Sequence, residues 1–217
     1  MKKIVFFITL WSASFVSRGL VAEHQNQYGV AFRSGTGLAR ANGLELFYNL
    51  NKRISFELIY QAGSAENKPY AQVFMSDSYV PTKAMYTTTN VSLQTRYFVS
   101  SEGTFNTTFG LGQKNNEIDI EASWLGGFNT YSLKINAEIT YYSLGLGNLW
   151  TWEDGLYIGV DWFNFYSTIG DASPKVSEEK GFDNATERND LEQFKLINTS
   201  MATSAIMWTN IFIGYSF

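Results

Sequence analysis

The segment Leu44–Gln61 reads LELFYNLNKRISFELIYQ and places two alternating stretches on either side of three polar residues. Apolar side chains stand at every second position from Leu44 to Leu50, and again from Ile54 to Tyr60. This period of two is typical of β-strands, because successive side chains of a strand point to opposite faces. Residues 51–53 leave room only for a tight turn, so the segment predicts a β-hairpin.

The same pattern recurs along the chain and predicts eight strands. Two more hairpins have short turns at 101–103 and 152–155, and single strands at 28–33 and about 206–217 complete the set. The other connections are long and polar, at about 34–42, 63–85, 113–130 and 169–204. Short turns at one end and long loops at the other are typical of membrane barrels. The sequence therefore predicts an all-β fold, an eight-stranded antiparallel up-and-down transmembrane β-barrel; an exported soluble β-sandwich, whose loops vary at both ends, is the alternative.

Composition excludes several classes of site. The 217 residues include 6 Trp, 13 Tyr and 17 Phe but no Cys, and the net charge is −4. Without cysteine there can be no disulfide, zinc–thiolate centre, cysteine nucleophile or lipoprotein anchor. Basic residues form no cluster, which argues against nucleic acid as a partner. We find no cofactor motif and expect none, since neither Gly-x-Gly triplet opens a helix after a buried strand.

The N-terminus has the layout of a secretory signal peptide. Lys2 and Lys3 precede an apolar stretch at 4–16, and small or polar residues follow. A transmembrane helix needs about 20 apolar residues, so this stretch is too short for one. We expect a signal peptide at 1–22 and the barrel at 23–217.

The more apolar member of each alternating pair is expected to face lipid. In the sixth strand Leu144 and Leu146 are out of phase with Ile139, which we interpret as a β-bulge near Ser143. The predicted lipid face carries no charge and consists of Val30, Phe32, Leu44, Leu46, Ile54, Leu58, Val91, Leu93, Phe109, Ile135, Ile139, Ile158, Val160, Ile211 and Ile213.

Charged residues of opposite parity are expected inside the barrel. They are Arg33, Glu45, Glu57, Arg96, Lys134, Glu138 and Asp161. An eight-stranded barrel is just wide enough for side chains to fill, and unpaired charges there are costly. We therefore expect a charge-paired network that plugs the lumen. A narrow path for ions or solutes, or a ligand held in the lumen, are the alternatives.

The chain ends in an alternating strand with Ile213, Tyr215 and a terminal Phe217. This ending resembles the terminal strand of bacterial outer-membrane barrels, which their assembly machinery recognises. Together with the strand count, the mature chain resembles small eight-stranded barrels of the OmpA, OmpX and OmpW type. The resemblance implies a Gram-negative outer membrane, extracellular loops, periplasmic termini, a monomer, and contacts with lipid, lipopolysaccharide and the barrel-assembly machinery.

A structural or surface-interaction role through the loops is the leading functional hypothesis. A narrow channel or transporter for small or hydrophobic solutes is the alternative. Small barrels that act on lipid A are similar in size but rely on a histidine, and His24 lies before the first strand, so we predict no enzyme. Asn115, Glu117, Asp119 and Glu121 alternate in the third long connection and offer oxygens for calcium. An ordinary extension of the strand pair above the membrane explains these residues together with Ile118 and Ile120 on the opposite side, and it is the favoured interpretation.

Overall fold

The computed structural model describes residues 27–36, 40–66, 79–101, 103–124, 130–170, 175–180, 192 and 209–217. Within these ranges the chain forms nine strands: β1 Tyr28–Thr36, β2 Ala41–Asn51, β3 Ile54–Glu66, β4 Tyr79–Phe98, β5 Phe105–Trp124, β6 Thr130–Thr151, β7 Leu156–Thr168, β8 Lys175–Lys180 and β9 Thr209–Ser216. The proposed signal peptide and His24 lie outside the described residues.

Eight of the strands close into a ring. Each of β1 to β6 pairs antiparallel with the next strand, β7 pairs with β9, and β9 pairs with β1. The short strand β8 pairs with β6 along residues 132–136, beyond the stretch of β6 that pairs with β7, so it continues the line of β7. The predicted eight-stranded up-and-down barrel is confirmed. Within the described residues, no helix is long and apolar enough to cross a membrane.

Side chains alternate between the two faces of the ring as the period-two pattern predicts. On β2 the charged Glu45 is buried while its neighbours Leu44 and Leu46 are 56% and 54% exposed. All around the ring, exposed apolar side chains occupy the part of each strand that lies nearest the short turns. We call this surface the apolar band. It includes Tyr28, Val30, Phe32, Leu44, Leu46, Tyr48, Phe56, Leu58, Val91, Leu93, Tyr97, Phe105, Phe109, Leu111, Leu144, Leu146, Phe165, Ile211, Ile213 and Tyr215.

Strands β4, β5 and β6 are about twice as long as β1 and β2, with 20, 20 and 22 residues. On β5 the outward apolar side chains stop at Leu111, and the strand continues to Trp124 with Gln113 and Asn115 exposed. The three strands therefore form a wall that rises beyond the apolar band. Much of the polar connection expected at 113–130 is strand, joined across residues 125–129.

The wall overturns two assignments to the lipid face. Ile135 and Ile139 are 2% and 3% exposed and face the inside of the ring. On β6 the odd-numbered residues are buried without interruption from Leu133 to Gly147. Beyond the apolar band the buried face of the sheet is the inner one. The apolar residues of β6 therefore face inward there and outward within the band, although the alternation of the strand is not interrupted.

The β-bulge lies elsewhere than expected. Leu146 pairs with Phe163 and Gly147 with Asp161, so Trp162 on β7 is the extra residue. The predicted bulge near Ser143 is wrong, since the break in apolar phase on β6 comes from the change of surroundings. The extra residue reverses the parity of β7, which buries both Asp161 and Asn164 and leaves Phe165 49% exposed.

Candidate functional site

Five charged side chains meet inside the barrel, midway along the apolar band. Arg33, Glu45, Glu57, Arg96 and Asp161 come from β1, β2, β3, β4 and β7, and each is 0–3% exposed. We call this group the lumen cluster. Each residue faces inward because it occupies the buried parity of its strand, and closure of the ring brings five separate strands together at one level.

Arg96 is the most heavily engaged member of the lumen cluster. Its Nε and Nη2 donate to the two carboxylate oxygens of Glu57, the second at 3.1 Å. Its Nη1 donates to Oδ1 of Asp161 at 2.8 Å and to Oδ1 of Asn106 at 2.6 Å. Two-oxygen binding of a carboxylate by a guanidinium is a strong and directional form of ion pair. Arg96 therefore joins β3, β4, β5 and β7 across the lumen.

Arg33 balances the other side of the lumen cluster. Its Nε donates to Oε2 of Glu45 at 2.7 Å, and its Nη1 lies 3.0 Å from Oδ2 of Asp161. Its Nη2 lies 2.7 Å from Oε2 of Glu45 and 3.8 Å from Oε2 of Glu57, within ion-pair distance although poorly aligned for a hydrogen bond. Asp161 thus bridges both arginines, one through each oxygen.

An apolar layer lies inside the barrel on the short-turn side of the lumen cluster. Ala31, Tyr157 and Phe212 are 1–2% exposed, and Phe47 and Leu149 pack against them. The rings of Phe47 and Tyr157 meet edge to face with centres 5.0 Å apart. We call these packed side chains the aromatic floor.

Uncharged polar side chains occupy the lumen on the other side of the lumen cluster. Gln61, Gln94, Asn164 and Asn210 are 2–7% exposed, and Nε2 of Gln61 donates to Oδ1 of Asn210 at 3.1 Å. Buried polar side chains are ordinarily hydrogen-bonded, as this amide pair is. Buried side chains therefore lie at three successive levels inside the barrel, namely the aromatic floor, the lumen cluster and this amide layer.

Two predicted members are absent from the lumen cluster. Lys134 and Glu138 lie on the outward face of the wall, because the inward residues of β6 are odd-numbered there. Nζ of Lys134 lies 2.6 Å from Oε1 of Glu117, with the two side chains 36% and 39% exposed. Glu138 is exposed, whereas Ala137 and Ile139 on either side of it are buried. Their assignment to the interior is wrong, since it assumed that Ile135 and Ile139 face lipid.

The alternating acidic residues of β5 also lie on the outer face of the wall. Nζ of Lys83 lies 2.6 Å from Oδ2 of Asp119 and 3.5 Å from Oε1 of Glu121. The hydrogen bond to Asp119 raises the pKa of Lys83. Lysines therefore occupy the carboxylates considered for calcium, and the described residues contain no group of three or more potential ligands that could hold a metal ion.

Lys114 is an unusual inward-facing charge on β5. It lies three residues beyond Leu111, where the apolar band ends, and is largely buried inside the wall. Burial lowers its pKa to about 8. Burial inside the wall therefore disfavours the charged form of this lysine.

One functional side chain escaped the sequence analysis. Asn106 is 0% exposed and accepts a hydrogen bond from Arg96 while donating to the carbonyl oxygen of Thr104 at 3.1 Å. Its inward parity, between the outward Phe105 and Thr107, is the signal that would have placed it in the lumen. The terminal residues Ile213, Tyr215 and Phe217 face outward, at 49%, 52% and 68% exposure.

Solved structures with the same arrangement were found by comparison. CarO of Acinetobacter baumannii is 14% identical, with a TM-score of 0.54 over 90% of this chain and 100% of that chain. The chain has the fold of the small outer-membrane β-barrels. A. baumannii CarO2 gives 12% identity and a TM-score of 0.54 over 88% of this chain and 100% of that one. A major outer membrane protein from Thermus thermophilus is 8% identical, with a TM-score of 0.51 over 88% of this chain and 99% of that chain. No family model and no curated protein sequence matches the chain.

Proposed function

We propose that this protein is an integral barrel of a bacterial outer membrane, with the wall of β4–β6 outside the cell and the short turns and termini in the periplasm. The support is the uncharged apolar band on a closed ring, since a β-sheet satisfies all its backbone hydrogen bonds in lipid only when it closes on itself. Short turns on the periplasmic side and long extracellular connections are the usual arrangement of such barrels.

We further propose that the barrel is plugged and does not conduct. The observation that carries this proposal is the lumen cluster itself, whose five charged side chains are 0–3% exposed while they span the lumen from β1 to β7. An aqueous path would leave at least some of these charges in contact with water. The aromatic floor below and the amide layer above add two further levels of closure.

The role that remains for a plugged barrel is structural or concerns the cell surface. The wall carries polar and charged side chains on its outer face, held by the ion pairs Lys83–Asp119 and Lys134–Glu117. It would stand at the level of lipopolysaccharide headgroups and present a firm β-sheet to the medium. We propose that surface contacts are made by this wall and the connections attached to it, by a monomer without catalytic activity or a bound cofactor.

Single-channel recording in a planar bilayer tests the plug. The mature protein is refolded, its folding is verified by the heat-dependent shift on SDS gels, and current is recorded at several voltages. We expect no discrete steps. A matched pair of variants follows: Glu57→Ala with Arg96→Ala, which removes the densest part of the lumen cluster, and Lys134→Ala with Glu117→Ala, an ion pair outside the lumen.

The outcomes separate the plugged barrel from the narrow channel. Silence of the wild type supports the plug, and silence of the Glu57/Arg96 double variant as well would show that the aromatic floor closes the lumen without the lumen cluster. Reproducible steps in the wild type would show an open lumen and make the lumen cluster a filter. If the Glu57/Arg96 double variant does not fold, the wild-type recording decides alone.

A further inference from the structure

The lumen cluster is unbalanced in charge. It contains two guanidinium groups, Arg33 and Arg96, and three carboxyl groups, Glu45, Glu57 and Asp161. If all three carboxyl groups were ionised, a net charge of −1 would be sealed between an aromatic floor and a layer of amides. An uncompensated charge in such surroundings is strongly unfavourable.

The described residues supply no further cation at this level. Lys83 and Lys134 are on the outer face of the wall, where they pair with Asp119 and Glu117. Lys114 faces inward but lies beyond the apolar band, eight positions along β5 from Asn106. Since no described side chain supplies the missing positive charge, we look for its source in solution.

The oxygen atoms of the three carboxyl groups identify where that charge is held. Both oxygens of Glu57 accept from Arg96. Oδ1 of Asp161 accepts from Arg96, and its Oδ2 lies 3.0 Å from Nη1 of Arg33, within ion-pair distance although it accepts no hydrogen bond within the described residues. Glu45 differs, since both of its contacts with Arg33 go to Oε2. Within the described residues, Oε1 of Glu45 has no hydrogen bond or ion pair.

We propose that Glu45 is a proton-binding site, neutral at physiological pH, with the proton on Oε1 and Oε2 accepting from Arg33. The proton is taken from solvent as the ring closes and forms the O–H bond of a carboxylic acid. The titratable and charged groups that face this position are Arg33 on β1, Glu57 on β3, Arg96 on β4, and Asp161 and Tyr157 on β7. A neutral Glu45 leaves two guanidinium groups against two carboxylates.

The alternative source of the same charge is an alkali cation bound beside Glu45. Both sources neutralise the lumen cluster, but they respond differently to conditions. A proton makes the folded state sensitive to pH and indifferent to the salt cation. A bound cation makes it sensitive to Na⁺ or K⁺ against a bulky organic cation at fixed pH.

Amide substitutions distinguish Glu45 from the other two carboxyl groups. Glu45→Gln keeps the acceptor for Arg33 and replaces an acid O–H by an N–H at the unpartnered position. Glu57→Gln and Asp161→Asn each turn one N–H₂ group towards a guanidinium, because both of their oxygens are engaged. Thermal midpoints are measured on refolded protein in zwitterionic vesicles from pH 5 to pH 9, in NaCl and in N-methylglucamine chloride.

We expect Glu45→Gln to unfold at the wild-type midpoint or above it, and to lose the decline that the wild type shows as the pH rises. In the wild type, Glu45 of the folded chain keeps a proton that the same group of the unfolded chain releases at about pH 4.3. Wild-type stability therefore falls as the pH rises above that value. Glu57→Gln and Asp161→Asn should unfold well below the wild type at every pH. A loss for Glu45→Gln as large as theirs would overturn the proposal.

Infrared spectroscopy of the wild type provides a second measurement that needs no stable variant. A buried protonated carboxyl group gives a C=O stretch separate from that of carboxylates. We expect this band in the folded wild type at pH 7 and its loss in Glu45→Gln. Absence of the band in the wild type, or a midpoint that rises with Na⁺ over N-methylglucamine only when Glu45 is present, would reject the proton and assign a cation site.

Discussion

Arg33 and Phe212 are direct partners on β1 and β9, the two strands that close the ring, and the guanidinium carbon of Arg33 lies 4.7 Å from the centre of the Phe212 ring. Arg96 approaches the same ring to 5.0 Å. One aromatic side chain on the last strand therefore supports both cations of the lumen cluster. This contact couples closure of the barrel to completion of the charge network.

Replacing Phe212 by leucine should weaken this coupling. The substitution keeps most of the volume but removes the π-electrons beneath two desolvated guanidinium groups, and we expect a loss of about 2 kcal/mol in the free energy of unfolding. Urea titration in phospholipid vesicles measures it. Phe109→Leu is the control, since Phe109 is 50% exposed on the outer face and its loss should stay below about 1 kcal/mol. Equal losses would contradict a special role for Phe212.

Arg96→Ala should be strongly destabilising without opening the barrel. It leaves Glu57 and Asp161 buried without their shared partner, a change that typically costs about 3–5 kcal/mol. Bilayer conductance should remain at baseline, because the aromatic floor is untouched. Lys134→Ala removes a half-exposed ion pair and should cost no more than about 1 kcal/mol. A clear rise in conductance with unchanged stability would refute this reading of Arg96.

Lys114→Met should stabilise the protein in a pH-dependent way. The folded pKa of about 8 lies below the ordinary value of 10.5, so between these values the unfolded chain binds more protons and wild-type stability rises with pH. Below pH 8 the full cost of the buried lysine is present. The gain from methionine should therefore be largest at pH 7 and fade towards pH 10.5. Lys52→Met, at an exposed turn, is the control and should show no such trend.

Gly43→Ala should prevent normal pairing of β2 with β3. Gly43 is the partner of Gln61, and a Cβ at this position would overlap the backbone carbonyl oxygen of Tyr60, which cannot move without breaking the ladder. We expect a low yield of the heat-modifiable folded form on SDS gels. Gly103→Ala is the matched control, because its nearest neighbour would be the Ser100 side chain, at 3.1 Å. A folded yield for Gly43→Ala equal to that of Gly103→Ala would contradict the prediction.

Phe217→Ala should separate assembly from stability. The side chain is 68% exposed, and the backbone of Phe217 pairs with that of Tyr28 whatever the side chain is. Refolded protein should therefore lose no more than about 1 kcal/mol. If the terminal residue is read by the assembly machinery, the amount of protein in the outer membrane of cells should fall several-fold. Unchanged amounts in cells would remove Phe217 from that role.

The sequence predicts those members of the lumen cluster that lie on short, regular strands, or on the half of a long strand that is nearer the short turn. On β1 to β4 the alternation of buried and exposed residues is uninterrupted within the apolar band. The charged residues of these strands therefore share the face opposite to their apolar neighbours: Arg33, Glu45, Glu57 and Arg96. Asp161 was placed correctly because it precedes the extra residue Trp162 on β7.

The errors lie on β6 and have one cause. The assignment of Lys134 and Glu138 to the lumen assumed that apolar residues face outward along the entire strand. Beyond the apolar band the outer face carries polar side chains and the inner face is buried, so the rule reverses for Ile135 and Ile139. No local sequence pattern on β6 marks the residue at which the apolar band ends.

The sequence by itself determined the strands, the tight turns and the face of most side chains, because a period of two is a local property of the backbone. Only the tertiary structure decided which charges meet. Contacts such as Arg96 with Asp161, 65 positions apart, depend on the stagger between strands around a closed ring. Stagger is a property of the whole sheet, set by pairing, by the bulge at Trp162 and by closure of β9 on β1.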